Sequence, residues 1–559
     1  MEEKRKHRIT IVNKGTYMVN HGENLGYFLA SKNMIVLPCG GKGLCGLCKV
    51  YVKGKVSRPT GNEVVRGIKS TEGVRLACQT SVLGDAIVEI LWKPVEKPRV
   101  PPRSLFIGVE KPRPLFNILT LEEISKLHTT LHLDNISLEE DRYYVVFFDQ
   151  VISSFKNISK PWLLLIDLGT TKIEYEYIDL EGNIVGHGVV SNPLNRYGVD
   201  IISRLSRALS SMEARREMVA SLQDVVKKLA EKNVIACLLA GNSVMESFFA
   251  DLPVGSLAVK PFQPISRGPF IKYVSVDGRR IPCFLMPLIS GFVGGDAFSN
   301  LVLTEYMEMP RPYMIIDLGA NTEIILVTDT AGEPVVYTTS VPAGPAFEGY
   351  LSSSSVLAVD GITGVEISGF TGEGKPLFRY YGETSGLTGS GVVSLVAELL
   401  RHRLVSRNGR FLRGYDVVHG VKAYRIARSA RGDVIFTQKD LREFQKALAA
   451  VKTGWKILLK KARIEPSDIE VVVVSGRFGS SIKPSDAVYL RMVPVDCVEK
   501  VVVGGNTVLS GLYIVALDRV FFEKILHLVR KAIHVNLAEE EGFMEEWIKS
   551  LELESCSKE

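Results

Sequence analysis

Two stretches of this 559-residue chain repeat one pattern 150 residues apart. LLLIDLGTTKIEYEYIDLEGNIV starts at Leu163 and MIIDLGANTEIILVTDTAGEPVV at Met314, which sets Asp167 against Asp317, Gly169 against Gly319 and Gly182 against Gly332. Each copy reads as an apolar strand ending in Asp-Leu-Gly, a tight turn, a second strand and a hairpin turn closed by glycine. A chain written this way has two similar halves. At either turn the glycine lets backbone N–H groups point at phosphate oxygens, Thr170 and Thr171 offer hydroxyls, and the two aspartates can hold a hydrated magnesium ion between them. A single Asp-Leu-Gly-Thr-Thr turn is as often an ordinary hairpin; duplication at fixed spacing supports the phosphate reading.

The length calls for three to five domains, because single hydrophobic cores stop growing well short of it. With 46% hydrophobic and 23% charged residues the composition is that of a globular protein and excludes a disordered or fibrous chain. The formal charge of +6 is small for this length and the basic residues do not gather into one block, so no nucleic-acid partner is expected. No apolar segment of signal-peptide length follows the charged start MEEKRKHRIT, and no run approaches the roughly 20 apolar residues that span a bilayer. A cytoplasmic protein without a membrane partner is expected.

Four of the eight cysteines fall in the first 80 residues: Cys39, Cys45 and Cys48 in the spacing C-x5-C-x2-C, and Cys78 after a further 29 residues. In a reducing compartment such clustering points to metal rather than disulfides. Four thiolates suit a 2Fe–2S cluster, and a loop with Gly40, Gly41, Gly43 and Gly46 brings backbone donors close to its sulfides. Structural zinc sites of four cysteines also use C-x2-C, but zinc ribbons pair two such knuckles, and Cys39 and Cys78 form no second one. RITIVNKGTYMVN alternates like a hairpin, NLGYFLASKN reads as a short amphipathic helix, and CKVYVKGKV and DAIVEILW read as strands. This order resembles the β-grasp ferredoxin fold. Cys237, Cys283, Cys497 and Cys556 are expected to be small buried hydrophobes.

WKPVEKPRVPPRS, with four prolines in thirteen residues, marks a boundary. We therefore expect a ferredoxin-like domain over 1–92, a Pro-rich linker over 93–104 and a small adaptor over 105–160. Two halves over 161–312 and 313–535 and a helical tail over 536–559 would follow. In the adaptor, LEEISKLHTTLHLDN reads as a helix and RYYVVFFDQVISSF as a strand or short helix.

The duplicated turns resemble those of the actin, sugar kinase and heat-shock chaperone ATPases, the ASKHA superfamily. Its remaining landmarks follow in order: SGFVGGDAFSN resembles the first connecting segment, VVVVSGRFGSS the adenosine motif with Gly476 and Gly479, and VVVGGNTVLSGLYIVAL the second connecting helix. The expected fold class is thus multidomain α+β and α/β: a β-grasp ferredoxin domain, a small linker domain and a duplicated ribonuclease H-like (ASKHA) ATPase region.

A ferredoxin joined to such an ATPase is similar to the reductive activators of corrinoid-dependent proteins. GFVGGD, IIDLGANTEIIL, PAGPAFEG, GLTGSGVVSLVAELL, SGRFGSSIKPSDAVYLRMVP and VGGNTVLSG carry that resemblance. Ala320 and Thr322 stand where the family usually has Thr and Gly, and Arg477 replaces a glycine of the adenosine turn, where it would alter the approach to adenine or stack on it. The stretch after Gly349 and the C-terminus also depart from the family pattern.

The resemblance implies an ATPase that passes one electron from a cellular donor, through a 2Fe–2S cluster on Cys39, Cys45, Cys48 and Cys78, to the Co(II) of a corrinoid protein or methyltransferase. ATP-coupled closure would offset the unfavourable potential, at about 0.7 kcal/mol per 30 mV for one electron. It places Asp167 and Asp317 on Mg2+, and Gly169, Thr170, Thr171, Lys172, Gly319, Ala320, Asn321 and Thr322 around the ATP phosphates. Gly476 and Gly479 would then lie at adenosine. Asp296 and Glu323 are candidates to position the attacking water, although a carboxylate at a helix start also serves as a cap. Ser352–Ser355 could face the partner's corrin or form a solvated loop. A homodimer is one assembly this reading allows. Two other functions use the same parts: a redox-gated ATP sensor or activase of another metalloenzyme, and a small-molecule kinase.

Overall fold

The computed structural model describes residues 5–32, 34–35, 37, 41, 43, 48–65, 73–91, 109, 112–126, 131–133, 136, 138–156, 158, 160–198, 200–344, 346–347, 351, 361–418, 420–428, 433–476 and 481–554. Alternation in the first ninety residues builds a sheet. β1 (Lys6–Ile11) and β2 (Gly15–Asn20) form the expected hairpin, and α1 (Leu25–Ser31) follows, its first turn capped by the Asn24 side chain accepting from the Tyr27 N–H. Next come β3 (Lys49–Val56), α2 (Gly61–Val65), β4 (Val74–Leu76) and β5 (Val82–Ile90), which complete a sheet of order β2-β1-β5-β3-β4 with β1 and β5 parallel. Leu25, Phe28 and Leu29 of α1 pack over Ile9, Ile11, Val50 and Val88. A buried ion pair fastens α2 to β4: the Arg75 Nε donates to Glu63 at 2.9 Å, and Glu63 also accepts from the Leu76 N–H at 2.9 Å. Burial alone would raise the Glu63 pKa, but the donors from Arg75, Thr60 and Leu76 outweigh it and hold the carboxyl below its ordinary range.

The adaptor differs from expectation in its first half. Its helix, α3, covers only Leu121–Ser125 after β6 (Phe116–Thr120), held by a Thr120/Glu123 capping box. β7 (His132–Leu133) then joins the sheet rather than extending the helix; the β-branched pair Thr129–Thr130 lies between the two elements. RYYVVFFDQVISSF forms a hairpin of β8 (Arg142–Phe147) and β9 (Gln150–Lys156), turning at Phe148, whose φ is +55°. The sheet runs β6-β8-β9-β7. So small a layer needs a neighbour, and Phe116 and Phe147 stack on Phe284 of the following region.

The duplication becomes two matching sheets. The first contains β10 (Trp162–Asp167), β11 (Lys172–Asp179) and β12 (Ile184–Ser191), then α4 (Ile201–Ser210), α5 (Met212–Leu229), β13 (Val234–Ala240), α6 (Ser243–Ala250), β14 (Phe270–Val276), β15 (Arg279–Leu285) and α7 (Gly295–Tyr306). The second opens with β16 (Tyr313–Asp317), β17 (Thr322–Thr330) and β18 (Glu333–Val341). An insertion follows: β19 (Ile362–Phe370), β20 (Pro376–Gly382), α8 (Gly389–Arg401), β21 (Asp416–Val418), β22 (Val421–Ala427) and β23 (Val434–Thr437). The long α9 (Gln438–Ala462), β24 (Val471–Ser475), α10 (Pro484–Tyr489), β25 (Val501–Val503), α11 (Thr507–Leu517), α12 (Arg519–Arg530), β26 (Ile533–His534) and α13 (Phe543–Ser550) complete the chain.

The sheet orders are β12-β11-β10-β13-β15-β14 and β25-β24-β16-β17-β18-β26. In each, the antiparallel trio extends from its first strand to a parallel neighbour, β13 or β24. Gly182 and Gly332 turn the equivalent hairpins with φ of +90° and +82°. Near the C-terminus α13 lies on α9, where Lys456 pairs with Glu546 at 2.8 Å and the buried Lys452 donates to the Glu552 carbonyl at 3.0 Å. Among the described residues no helix is long and apolar enough to cross a membrane. Cys237 and Cys283 are buried side by side on β13 and β15, as expected of small hydrophobes. Cys497 is not: it is exposed, with its Sγ 2.6 Å from Glu499. Cys556 lies outside the described residues.

Helices α7 and α11 cross between the halves at Ser299 and Gly511, where a Cβ on Gly511 would stand 2.0 Å from the Ser299 carbonyl oxygen. No rotamer change relieves a clash with backbone. Gly511→Ala is therefore expected to cost about 1–3 kcal/mol, the scale of core overpacking, in denaturant or thermal melts. Gly372→Ala, where nothing lies within 4 Å, should stay within about 0.5 kcal/mol of the parent. Equal effects at the two positions would contradict a tight crossing.

Candidate functional site

The turn after β10 is held from behind by its carbonyls. Asn192 Nδ2 donates to the Gly169 oxygen at 2.7 Å, Arg204 Nη2 to that of Thr170 at 2.6 Å, and Asn195 Nδ2 to that of Thr171 at 2.8 Å. Asn242 Nδ2 reaches the Thr170 Oγ1 at 3.0 Å. Arg204 is fully buried; its Nε also donates to the Gly198 oxygen at 2.9 Å, and Nη2 to Asn195 Oδ1 at 3.1 Å. With the carbonyl side of the loop occupied, the N–H groups of the same peptides face the other way. An anion there meets donors already oriented. Gly169 and Gly319 are required at equivalent places, since a Cβ would meet the Lys172 oxygen at 2.6 Å in one turn and the Asn321 oxygen at 2.8 Å in the other. The second turn has a lighter frame: the Gly344 N–H donates to the Ala320 oxygen at 2.9 Å, and Thr322 Oγ1 lies 3.4 Å from the Gly319 oxygen.

Around these turns the fold collects carboxylates. Strand register places Glu174 opposite Asp167 and Glu323 opposite Asp317. Asp296 enters on the first turn of α7, its N–H donating to the Gly241 oxygen at 3.3 Å. The two connecting helices reach across. Asn300 of α7 donates to Asp317 at 2.6 Å, Asn506 at the start of α11 donates to both Asp167 and Glu174 at 2.9 Å, and Thr507 joins the two helices by donating to Asn300 Oδ1 at 2.5 Å. Gly476, at φ +91°, follows β24 directly against the second turn, where a Cβ would meet the Leu318 oxygen at 2.4 Å and Asp317 Oδ1 at 2.8 Å. Gly479 and Arg477 lie outside the described residues, as do Ser352–Ser355.

Asp167, Asp296 and Asp317 each keep part of their surface open, yet their charges are poorly solvated. Burial and then the charge of Glu174 push Asp167 well above the usual carboxylate range, against the pull of the Asn506 amide. Burial raises Asp317, opposed by Asn300; burial, Asp296 and Asp317 raise Glu323; burial and Asp317 push Asp296 up to about 7. Such a cluster is stabilised by a cation. Among the described residues no three acidic, His or Cys side chains converge closely enough to ligate one ion directly.

In the ferredoxin domain Cys48 and Cys78 are buried with their sulfurs 3.2 Å apart and no disulfide between them. Two thiolates on one tetrahedral metal, at bonds of about 2.3 Å, stand about 3.7 Å apart, so the pair fits two ligands of one iron. Gln79 braces the site: its amide donates to the Gly41 oxygen at 2.7 Å and lies 3.7 Å from the Cys78 sulfur. A Cβ on Gly26 of α1 would strike the Cys78 backbone at 2.5 Å, and Asn24 Nδ2 donates to the Cys78 oxygen at 2.9 Å. Cys39 and Cys45, with Gly40 and Gly46, fall outside the described residues.

A cluster-binding ferredoxin domain fused to a duplicated phosphate-turn fold defines an ASKHA protein with its own electron carrier. Comparison with known families agrees: residues 9–83 match the 2Fe-2S iron-sulfur cluster binding domain, 164–309 the RACo middle region, and 311–559 the C-terminal domain of RACo, the ASKHA domain. The chain thus carries, in one order, the ferredoxin, middle and ASKHA regions that these models describe. Its relatives include the corrinoid activation enzyme RamQ of Eubacterium limosum, 26% identical over 69% of each chain. A Co(II) methylated amine-specific corrinoid protein reductase of Methanosarcina barkeri is 24% identical over 68% of this chain and 75% of its own. A solved reductive activator for corrinoid, iron-sulfur protein has the same fold over 98% of both chains, with a TM-score of 0.69 at 21% identity.

Asn192, Asn195, Arg204, Asn242, Glu174, Asn300, Asn506 and Gln79 are site residues that reading the sequence did not single out. The repeat itself hid Glu174: the spacing that aligns the aspartates sets it against Ile324, because Asp167 and Glu174 are one residue further apart than Asp317 and Glu323.

The raised Asp296 pKa gives a signed expectation. The unfolded chain loses this proton near 3.8 and the folded chain only near 7, so the stability it contributes is full below the first value and falls as pH rises through the second. Asp296→Asn should flatten that fall and raise Tm at pH 8, by about 2–4 °C for each kcal/mol relieved, in melts from pH 4 to 8 without metal or nucleotide. An unchanged slope would mean that Asp296 lies outside the shared field.

Proposed function

We propose that this protein is an ATP-dependent reductive activator of a corrinoid protein, returning Co(II) to Co(I) with one electron from a cellular donor. One observation carries the proposal: a chain with the ferredoxin, middle and ASKHA regions in which Cys48 and Cys78 stand in ligand geometry and two Asp-Leu-Gly turns share a carboxylate site. Cys39 and Cys45 would complete the ligand set. When bound, a 2Fe–2S cluster there would supply a one-electron carrier between the donor and cobalt. Gln79 holds a donor beside the Cys78 sulfur, and burial of Cys48 and Cys78 keeps water from the sulfurs.

In the ASKHA region the N–H groups of Gly169–Lys172 and Gly319–Thr322 receive the phosphates of ATP. Asp167 and Asp317 would hold a hydrated Mg2+ between the halves, with Asn506 and Asn300 fixing their second oxygens. Asp296, pushed up to about 7, suits proton exchange near neutrality, and with Glu323, also raised by burial and its acidic neighbours, orients the attacking water. Gly476 would lie at adenosine, and Gly479, outside the described residues, is assigned there with it. The Asn300–Thr507–Asn506 chain ties the two aspartates together, so closure on nucleotide moves both halves.

The test mixes reduced protein, Mg-ATP and a Co(II) corrinoid protein without oxygen and follows the Co(I) absorption band. The band should grow only with nucleotide present. Asp317→Ala should cut ATP turnover by about 100-fold, the scale of losing one preorganised electrostatic group, and leave the cluster spectrum intact. Cys48→Ser should do the reverse. Unchanged cobalt despite stoichiometric binding of the partner, or phosphorylation of a small molecule in its place, would overturn the assignment.

A further inference from the structure

The ferredoxin helix α1 touches the segment that frames the first phosphate turn. α1 lies against the 3-10 turn Pro193–Tyr197, which carries Asn195. One side chain further on, the guanidinium of Arg207 on α4 lies over the Tyr27 ring, 5.7 Å from its centroid. The other end of Tyr27 rests on the cysteine loop: its hydroxyl occupies the space beside Gly41 where a Cβ would approach to 2.5 Å. The same helix meets Cys78 through Gly26 and Asn24. α1 therefore contacts the site at the loop and at its downstream cysteine.

On the nucleotide side, Arg204 and Asn195 bond the carbonyls of Thr170 and Thr171 and each other. Arg204 and Arg207 are three residues apart on α4 and project from neighbouring turns. The helix is seated by the buried Ile201, Leu205 and Ala208, so it moves as one piece. A peptide group is planar, so a phosphate drawn to the N–H of Thr171 or Lys172 tilts the carbonyl of Thr170 or Thr171 on the opposite edge. Those carbonyls are the acceptors that Arg204 and Asn195 hold.

We propose that α4 and the Pro193–Tyr197 turn couple the two functions: Arg204 and Asn195 read the state of the first phosphate turn, and Arg207 passes it through Tyr27 to the cysteine loop. Arg207 is a positioning residue, exposed and remote from the reacting groups. This coupling rests on the proposed function, and it supplies the contact route by which nucleotide alters the environment of the electron carrier.

The test uses the full chain, cluster-loaded, with Mg-AMPPNP as probe, and compares the parent with Arg207→Ala and Arg207→Lys. Two responses are read: amide hydrogen exchange across Leu25–Ser31, and the midpoint potential of the cluster. In the parent, nucleotide should slow the exchange and shift the potential. Arg207→Ala should keep the cluster spectrum and bind nucleotide within about twofold of the parent, as a surface substitution does, but lose most of both responses; Arg207→Lys, which keeps a cation over the ring, should retain them. A parent that binds nucleotide and cluster yet shows neither response, or an Arg207→Ala protein with both at full size, overturns the coupling alone. A parent that holds no iron or binds no nucleotide overturns the proposed function and the coupling together.

Discussion

The structure depends on a loop kept in place by its carbonyls. Phosphate recognition by backbone works only if the N–H groups are turned outward and stay there, and a glycine-containing turn will not do that unaided. Here three asparagines and one fully buried arginine, drawn from three separate segments, occupy the far side of the first turn. Removing Asn192 or Arg204 would take that donor from the part-buried Gly169 or Thr170 carbonyl, at up to about 1–3 kcal/mol. Burial and neighbouring carboxylates raise the pKa values of Asp167, Asp296 and Glu323, so negative charge crowds these turns and a bound cation would relieve it.

The second constraint is how the halves are joined. Duplication alone gives two turns; the crossing of α7 and α11 at Ser299 and Gly511 gives them a fixed relation. Through Asn300, Thr507 and Asn506 the same crossing carries hydrogen bonds from Asp317 to Asp167. The two aspartates are thus joined by a path of hydrogen bonds and one covalent link. The ferredoxin domain stands on this apparatus by way of α1.

Much of the architecture was legible in the sequence, for identifiable reasons. Strands, the β-grasp order and the two turns follow from alternation, glycine punctuation and the repeat, all local signals. The second connecting helix was legible in VVVGGNTVLSGLYIVAL. What escaped notice was non-local. Asn192, Asn195, Arg204 and Asn242 lie between 23 and 72 residues from the groups they hold, and nothing in an asparagine's neighbours tells which carbonyl it will find. Glu174 was masked by a one-residue difference in turn length. The adaptor helix was overextended because Leu121, Ile124, Leu127 and Leu131 recur at helical spacing, whereas His132–Leu133 pairs with Gln150–Val151 in the sheet. Cys497 is exposed because it sits at the start of a short turn that places its sulfur beside Glu499, a contact no composition rule foresees.

The most direct measurement is the affinity of the full-length protein for Mg-ATP when the buried arginine is replaced by a chain of similar length without donors. Calorimetric titration of Arg204→Met, checked to be folded and to retain the ferredoxin absorption spectrum, should give a Kd at least about tenfold weaker, equal to about 1.4 kcal/mol. Arg204→Lys should recover little, since one ammonium cannot serve the Gly198, Thr170 and Asn195 oxygens in the arginine's planar geometry. A folded Arg204→Met protein that binds Mg-ATP as tightly as the parent would contradict the central claim that the phosphate turn owes its competence to the frame behind it.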